Sequence, residues 1–174
     1  MKRVQLLRHA KSSWDDPHLE DWQRPLNPRG KKSCQLMAPA LIKAECDFQN
    51  IFVSSAKRAK STIKRIEKAL EKKIAWQVDR ELYTFDGEDL LCWLMKCDDT
   101  MKSVLVVGHN PALEELLLWL TGGEREMPTC AFVSLDIKVE KWGDLKPGVA
   151  QESVYLYPKG LPTWNQDAHP RSDG

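Results

Sequence analysis

Long apolar runs, a secretion signal and an excess of charge of either sign are all missing from this 174-residue chain. No apolar run approaches the roughly 18 residues that a membrane span needs, and Met1-Lys2-Arg3 leads into a short strand rather than a signal-peptide core. The 26 Lys and Arg nearly cancel the 25 Asp and Glu, so no whole-molecule field attracts nucleic acid or an anionic membrane. We therefore expect a cytoplasmic protein without nucleic-acid or membrane partners, in which any anion site is local.

Metal-ligand spacings are missing as well. The five cysteines show neither Cys-x-x-Cys nor a Cys/His zinc spacing, and an odd number cannot form a closed set of disulfides. The carboxylates of Asp15, Asp16 and Asp21 lack the regular spacing of a calcium loop, so we interpret them as solvated loop charge. The sequence predicts no metal site and no cofactor.

Strand and helix signals alternate along most of the chain. Short apolar runs predict strands at residues 4–7, 51–53, 75–78, 104–107, 131–137 and 153–157. Helices are predicted to begin at Asn27-Pro28, after Ser54-Ser55, at Gly87 and at Asn110-Pro111. Pro39 should kink the first helix or end it early.

This alternation, with short connections, predicts an α/β fold: a three-layer α/β/α sandwich on a mostly parallel central sheet. Residues 1–157 should form one domain, because a chain of this length suits a single core. Residues 158–174 mix proline, glycine and charge, and we expect them to form a loosely ordered C-terminal tail.

Three of the predicted strands are followed by arginine or histidine side chains that could act together at one site. Arg8-His9 follows the first strand, Arg58 follows the second, and His109 follows the fourth. The carboxyl ends of parallel strands share one edge of a sheet, which is where open α/β sheets bind ligands. We therefore expect these side chains to meet.

The charge at Arg58 favours an anionic ligand at that edge. Arg58 lies in the first turn of a predicted helix, where the macrodipole disfavours a positive charge by about 0.3–1 kcal/mol. A phosphate would offset this cost, because helix N-terminal amides and arginine guanidiniums both bind its oxygens. A neutral imidazole is in addition a competent nucleophile toward phosphorus.

Three sequence blocks carry a resemblance to a known family. They are Leu7-Arg8-His9-Ala10, Ser54-Ser55-Ala56-Lys57-Arg58-Ala59-Lys60-Ser61-Thr62 and Val107-Gly108-His109-Asn110-Pro111. In this order they resemble the histidine phosphatase superfamily, whose hallmark is an Arg-His-Gly phosphate loop. The short chain and the segment Arg24-Pro25-Leu26-Asn27-Pro28-Arg29-Gly30 look most like its small phosphohistidine-phosphatase branch.

The resemblance implies a phosphoglycerate-mutase-like fold, no metal, and a transiently phosphorylated nucleophile at His9. It also implies that Arg8, Arg58 and His109 complete the phosphate pocket. Ala10 replaces the glycine of the hallmark, which suggests that the backbone there needs no positive φ.

Three further residues complete the set of candidates. Glu81 stands where larger relatives place a proton-donating carboxylate, so it is a candidate general acid. Ser12 and Asn110 are counted with Arg8, Arg58 and His109 as candidate substrate-binding residues. For Glu81, a solvated loop carboxylate is the competing interpretation.

The expected substrate follows from leaving-group chemistry. An alkoxide needs a strong proton donor, whereas the conjugate acid of imidazole has a pKa near 6.5, so imidazole leaves without such help. A weak or missing acid therefore favours phosphohistidine in a protein. The alternatives are a phosphomonoesterase acting on a small metabolite, such as a sugar or nucleotide phosphate, and a phosphate-binding module without turnover. The oligomeric state is left open.

Overall fold

The computed structural model describes residues 1–164 and contains one six-stranded sheet with helices on both faces. The strands are β1 (Lys2–Arg8), β2 (Ile51–Ser54), β3 (Trp76–Asp79), β4 (Ser103–Gly108), β5 (Phe132–Ile137) and β6 (Ala150–Leu156). The α-helices are α1 (Pro28–Lys43), α2 (Lys57–Leu70), α3 (Gly87–Met95) and α4 (Ala112–Thr121). Short 3-10 turns at Asp21–Gln23 and Arg80–Leu82 lie in the loops that matter for the site.

The strand order is β3-β2-β4-β1-β5-β6. The first four strands of this order pair in parallel, while β5 pairs antiparallel with both β1 and β6. Parallel register places Arg8 at the end of β1 opposite Gly108 at the end of β4. The predicted α/β/α sandwich on a mostly parallel sheet is confirmed. The sheet is mixed because β5 pairs antiparallel with its two neighbours.

The sheet separates two apolar cores. On one face, Leu7, Leu105 and Val107 pack against residues of α1 and α2. On the other face, Leu6 and Val106 pack against residues of α3 and α4. Successive strand residues point to opposite faces, so a central strand covered on both sides is apolar throughout. This explains the continuous apolar run of β4 at residues 104–107, whereas in β1 the run is interrupted by Gln5, whose buried amide hydrogen-bonds the backbone of Asp47.

Two helix boundaries differ in part from the predictions. Helix α1 begins at Pro28 with Asn27 as its N-cap, as predicted, and it does not end at Pro39 but continues to Lys43. Pro39 and Gln35 both lie on the exposed face of α1, which limits the cost of the hydrogen bond that a proline cannot donate. Helix α4 begins at Ala112 rather than at Pro111, after a cis Asn110-Pro111 bond.

The predicted tail is divided. Pro158 and Trp164 are buried, and the turn Pro158–Gly160 contacts α1, so residues 158–164 pack on the domain. The remainder of the predicted tail, residues 165–174, lies outside the described residues. No helix within residues 1–164 is long and apolar enough to cross a membrane.

Candidate active site

The carboxyl ends of β1, β2 and β4 bring the predicted residues together, as the sheet topology requires. The backbone N–H of His9 donates to the carbonyl of Gly108 at 3.1 Å, which fixes the loop after β1 against the end of β4. The ring centroids of His9 and His109 are 5.1 Å apart. Residues about one hundred positions apart in sequence thus share one site.

The hydrogen bonds of His9 leave the lone pair of the ring on Nε2. Its Nδ1 lies 2.7 Å from the carbonyl oxygen of Ala10, and a carbonyl can only accept, so the ring proton resides on Nδ1. The lone pair is therefore on Nε2, which accepts from Nε of Arg58 at 3.4 Å. Ala10 does not have a positive φ, as expected from the sequence, and its N–H donates to Oγ1 of Thr62.

Arg58 is buried, and an acidic partner fixes it. Its Nη2 contacts Oδ2 of Asp21 at 2.9 Å, and its Nη1 donates to the Asp21 carbonyl at 2.8 Å. Arg24 contacts the other carboxylate oxygen at 3.3 Å, and the hydroxyl of Tyr83 donates to Oδ2. The prediction of Asp21 as solvated loop charge was wrong, because Asp21 joins two arginines and a tyrosine at the site.

His109 and Arg8 line the other side of the site. Oγ of Ser54 lies 2.7 Å from Nε2 of His109. When this hydroxyl donates to Nε2, the ring proton lies on Nδ1. Nδ1 of His109 and Nε of Arg8 are buried without a hydrogen-bond partner among residues 1–164. Buried polar atoms of this kind are costly unless a ligand satisfies them, and both suit oxyanion binding.

Burial keeps both imidazoles neutral. Desolvation, added to the nearby arginine charges, lowers the pKa of His9 to about 3, despite the opposing hydrogen bond to Ala10. Desolvation and the neighbouring His9 lower the pKa of His109 to about 2. Partial burial would raise the pKa of Asp21, but hydrogen bonds from Tyr83 and Arg58 outweigh it and lower this pKa to about 2. At neutral pH the site therefore holds neutral histidines and an ionised carboxylate.

Aromatic rings border His109. The ring centroids of Tyr83 and Phe85 each lie 5.4 Å from that of His109, in edge-to-face orientation. Phe85 nevertheless leaves 46% of its surface exposed, whereas His109 exposes 1%. These two rings therefore separate the buried imidazole from solvent.

Two of the predicted residues, Glu81 and Ser12, make no hydrogen bond or ring contact with either imidazole within residues 1–164. Glu81 is exposed and lines a surface groove with Tyr83 and Lys96, and its carboxylate forms no hydrogen bond or ion pair within residues 1–164. Oγ of Ser12 accepts from Arg24 at 2.7 Å. The roles assigned to these residues stay predictions.

Asn110 connects the site to a neighbouring loop. Its Nδ2 donates to Glu114 at 3.0 Å and to the carbonyl of Met127 at 2.8 Å. Nη1 of Arg8 donates to the same Met127 carbonyl at 3.0 Å. Asn110 thereby supports the loop that holds Arg8, and a direct contact with substrate stays a prediction.

Sequence reasoning missed four residues of the site. They are Asp21, Arg24, Ser54 and Tyr83. A signal was available for Tyr83, because it follows β3 and the carboxyl end of β3 shares the edge with the other parallel strands. The sequence holds no comparable signal for Asp21, which lies in a polar loop among other carboxylates.

A buried nucleophilic imidazole, a second imidazole and two guanidiniums around one point define the chemistry of a phosphoryl-transfer site. Within residues 1–164, no group of three or more His, Cys, Asp or Glu side chains could hold a metal ion. Positioning and cationic stabilisation of the equatorial oxygens supply most of the catalysis in phosphoryl transfer.

Comparison with known proteins identifies the class. A model of the histidine phosphatase superfamily (branch 1) matches residues 4–90, which include His9 and Arg58. The chain therefore belongs to the histidine phosphatase superfamily and is a phosphatase. An uncharacterized chloroplastic protein of Arabidopsis thaliana is 29% identical over 150 residues, which are 81% of this chain and 69% of that protein.

Solved structures agree with this assignment. A putative phosphohistidine phosphatase SixA from Agrobacterium tumefaciens is 26% identical, with a TM-score of 0.76 over 90% of this chain and 98% of that one. The protein histidine phosphatase SixA complexed with tungstate is 24% identical, with a TM-score of 0.75 over 91% and 99%. More distant structures with the same fold include a putative α-ribazole-5′-P phosphatase from Escherichia coli, at a TM-score of 0.61.

Proposed function

We propose that this phosphatase hydrolyses phosphohistidine in another protein, without a metal ion, through a phosphorylated His9. The observation that carries the proposal is the placement of the His9 Nε2 lone pair beside Arg58, with the proton held on Nδ1 by Ala10. An imidazole in this state attacks phosphorus without first losing a proton. The similarity to SixA proteins supports the same substrate class.

The reaction balances in two steps. His9 Nε2 forms a bond to phosphorus as the substrate P–N bond breaks, and the substrate imidazole, which carries a proton on its other ring nitrogen, keeps the electron pair of that bond and leaves neutral. Water then attacks the phosphorus as the bond from phosphorus to His9 Nε2 breaks. Nε2 regains its lone pair, and the protons of the water leave with inorganic phosphate. Arg8, Arg58 and His109 stabilise the equatorial oxygens in both steps.

The acid chemistry of the site favours a P–N substrate. Asp21 is the carboxylate that contacts the arginines, and its lowered pKa keeps it ionised at neutral pH, so it is not a proton donor. Glu81 is exposed, in a groove that Tyr83 also lines, and its carboxylate forms no hydrogen bond or ion pair within residues 1–164. An alkoxide would need a proton donor, whereas a phosphohistidine protonated on its other ring nitrogen releases neutral imidazole without one.

A trapping experiment tests the nucleophile. The protein is incubated with radiolabelled phosphoramidate and examined for an acid-labile, alkali-stable phosphoenzyme. We expect label in the wild type and in the control His18→Ala, which alters an exposed loop residue, and none in His9→Ala. Label that persists in His9→Ala would refute the assignment.

A substrate panel tests the alternative, a phosphomonoesterase of small metabolites. Some structural neighbours are phosphatases of this kind by name. A preference for an alkyl phosphate over phosphohistidine that is abolished by Glu81→Gln would favour the alternative and assign Glu81 as the acid. We expect phosphohistidine to be preferred and Glu81→Gln to have little effect.

We also propose that the protein is located in the cytoplasm. All five cysteines are free thiols, as suits a reducing compartment such as the cytoplasm. Cell fractionation with an antibody against the chain checks this point.

A further inference from the structure

One aromatic side chain at the mouth of the site has no part in the mechanism above. Phe85 contacts His109 edge to face at 5.4 Å and Tyr83 at 5.8 Å, yet 46% of its surface is exposed. A large apolar ring left half in water is unfavourable on its own, because burial of such a ring is worth roughly 25 cal/mol per Å². Its place beside a catalytic imidazole suggests that a ligand covers it.

The in-line geometry of phosphoryl transfer directs the leaving group toward the side of the site where Phe85 lies. In phosphoryl transfer the attacking and leaving atoms lie roughly in line through phosphorus. His9 is buried, with 7% of its surface exposed, so the attack comes from the interior of the site. The leaving group therefore departs outward, toward the partly exposed side chains around the opening.

Those side chains differ in what they can still bind. The carboxylate of Asp21 is occupied by Arg58 and Arg24, and the hydroxyl of Tyr83 by Asp21. Phe85 makes edge contacts with Tyr83 and His109 and has no polar atom to satisfy. Of the two rings that contact His109, Phe85 is therefore the one we expect to contact a ligand with its exposed surface.

We propose that Phe85 is a specificity-determining residue that packs against the ring of an aromatic leaving group. In the reaction proposed above, on which this identification of the ring rests, the leaving group is the imidazole of the substrate phosphohistidine. Aromatic rings attract one another in stacked or edge-to-face arrangements with centroids 4.5–7 Å apart. The attraction persists as the P–N bond breaks, since the departing imidazole keeps its ring and leaves as a neutral molecule.

A comparison of two substrates isolates the contribution of the Phe85 ring. Phosphohistidine and phosphoramidate both contain a P–N bond, but phosphoramidate releases ammonia, which has no ring. We expect Phe85→Leu to lower the ratio of kcat/KM for phosphohistidine to kcat/KM for phosphoramidate by about two- to tenfold, the equivalent of ~0.5–1.5 kcal/mol of ring contact. Phe85→Tyr, which keeps the ring, should retain the wild-type ratio.

The control is Leu118→Ala, which alters an apolar residue of similar exposure, 42%, on α4. It should change neither kcat/KM. Equal losses on both substrates in Phe85→Leu would mean that Phe85 only supports His109, and this result would overturn the inference. An unchanged ratio would overturn it as well.

A second pair separates this inference from the proposed function. Phenyl phosphate and ethyl phosphate differ in the same way, an aromatic against an aliphatic leaving group. If the wild type fails to hydrolyse phosphohistidine, the proposed function fails, but Phe85→Leu must still lower the phenyl-to-ethyl ratio. If phosphohistidine is hydrolysed and neither ratio falls in Phe85→Leu, the proposed function stands and the role of Phe85 is wrong.

Discussion

Burial has opposite consequences for the histidines and for the carboxylate of this site. His9 and His109 lose water and gain no anionic partner in contact, so their neutral forms are favoured. Asp21 keeps part of its exposure and gains Tyr83 and two arginines, so its charged form is favoured. His9 is therefore neutral at neutral pH, as the proposed nucleophile must be, and the carboxylate of Asp21 keeps its ion pairs with Arg58 and Arg24.

The histidines predict a pH dependence of stability. Below about pH 6.5 the unfolded chain binds protons at these two positions, whereas the native imidazoles do not until pH 3 or lower. The unfolding free energy must therefore fall as the pH is lowered from 7 to 5, by about 2 kcal/mol per histidine at pH 5. Urea unfolding at several pH values measures the slope.

His109→Ala should make this slope shallower, and His18→Ala, in an exposed loop, should not. The comparison is confined to pH 5–7 because Asp21 adds its own loss of stability only below its unfolded pKa, near 3.8. A slope identical in wild type and His109→Ala would contradict the neutral state assigned to His109.

At the scale of secondary-structure elements, one close approach fixes the phosphate loop. Gly30, in the first turn of α1, lies against Lys11, and a Cβ at this position would come within 2.1 Å of the Lys11 carbonyl oxygen. Asn27 anchors the same contact, because its N–H donates to that oxygen at 3.0 Å. The loop that carries His9 is thus held by a helix from another layer of the fold.

Gly30→Ala should therefore affect both stability and activity. The added methyl group must push backbone against backbone, which costs about 1–3 kcal/mol, and it displaces the loop next to His9. We expect a lower melting temperature and reduced kcat. Gly123→Ala is the matched control, since its Cβ would approach nothing closer than 3.9 Å. Equal melting temperatures for the two variants would show that the loop adapts without strain.

At the scale of the whole molecule, the sheet brings arginine side chains and neutral imidazoles to one edge. An anion bound at this edge should change the protonation of the imidazoles. A dianion favours the charged form of nearby histidines, so binding of tungstate at pH 7–8 should take up protons from the buffer. Calorimetric titration in two buffers of different ionisation enthalpy measures this uptake, and tungstate should also raise the melting temperature.

His109→Asn should reduce the proton uptake, because His9 must keep its Nε2 lone pair to attack phosphorus, whereas His18→Ala should leave the uptake unchanged. Identical heats of binding in the two buffers would contradict the prediction, since they would mean that no group of the site changes its protonation.

The elements were largely predictable from local sequence. The apolar runs of β1 and β4 are covered on both faces, and the Asn27-Pro28 cap starts α1 as predicted. The sequence left open whether Pro39 kinks α1 or ends it, and the structure excludes only the early end. The cost of a helical proline depends on the exposure of that part of the helix, which is a tertiary property.

The site was predictable where residues immediately follow parallel strands, as Arg8, His9 and His109 do. It was not predictable at Asp21 or Ser54, whose partners Arg58 and His109 are distant in sequence. The role of Glu81 stays a prediction, because its side chain is exposed in a groove that Tyr83 also lines and forms no hydrogen bond or ion pair within residues 1–164.

The sequence by itself determined the order of strands and helices, the two cores and the family, because periodicity, caps and motif blocks are local properties of the chain. Only the tertiary structure decided which nitrogen of His9 is free, which carboxylate holds Arg58 and which rings lie against His109. These depend on distances of a few ångströms between segments far apart in sequence, and on the burial that sets their protonation.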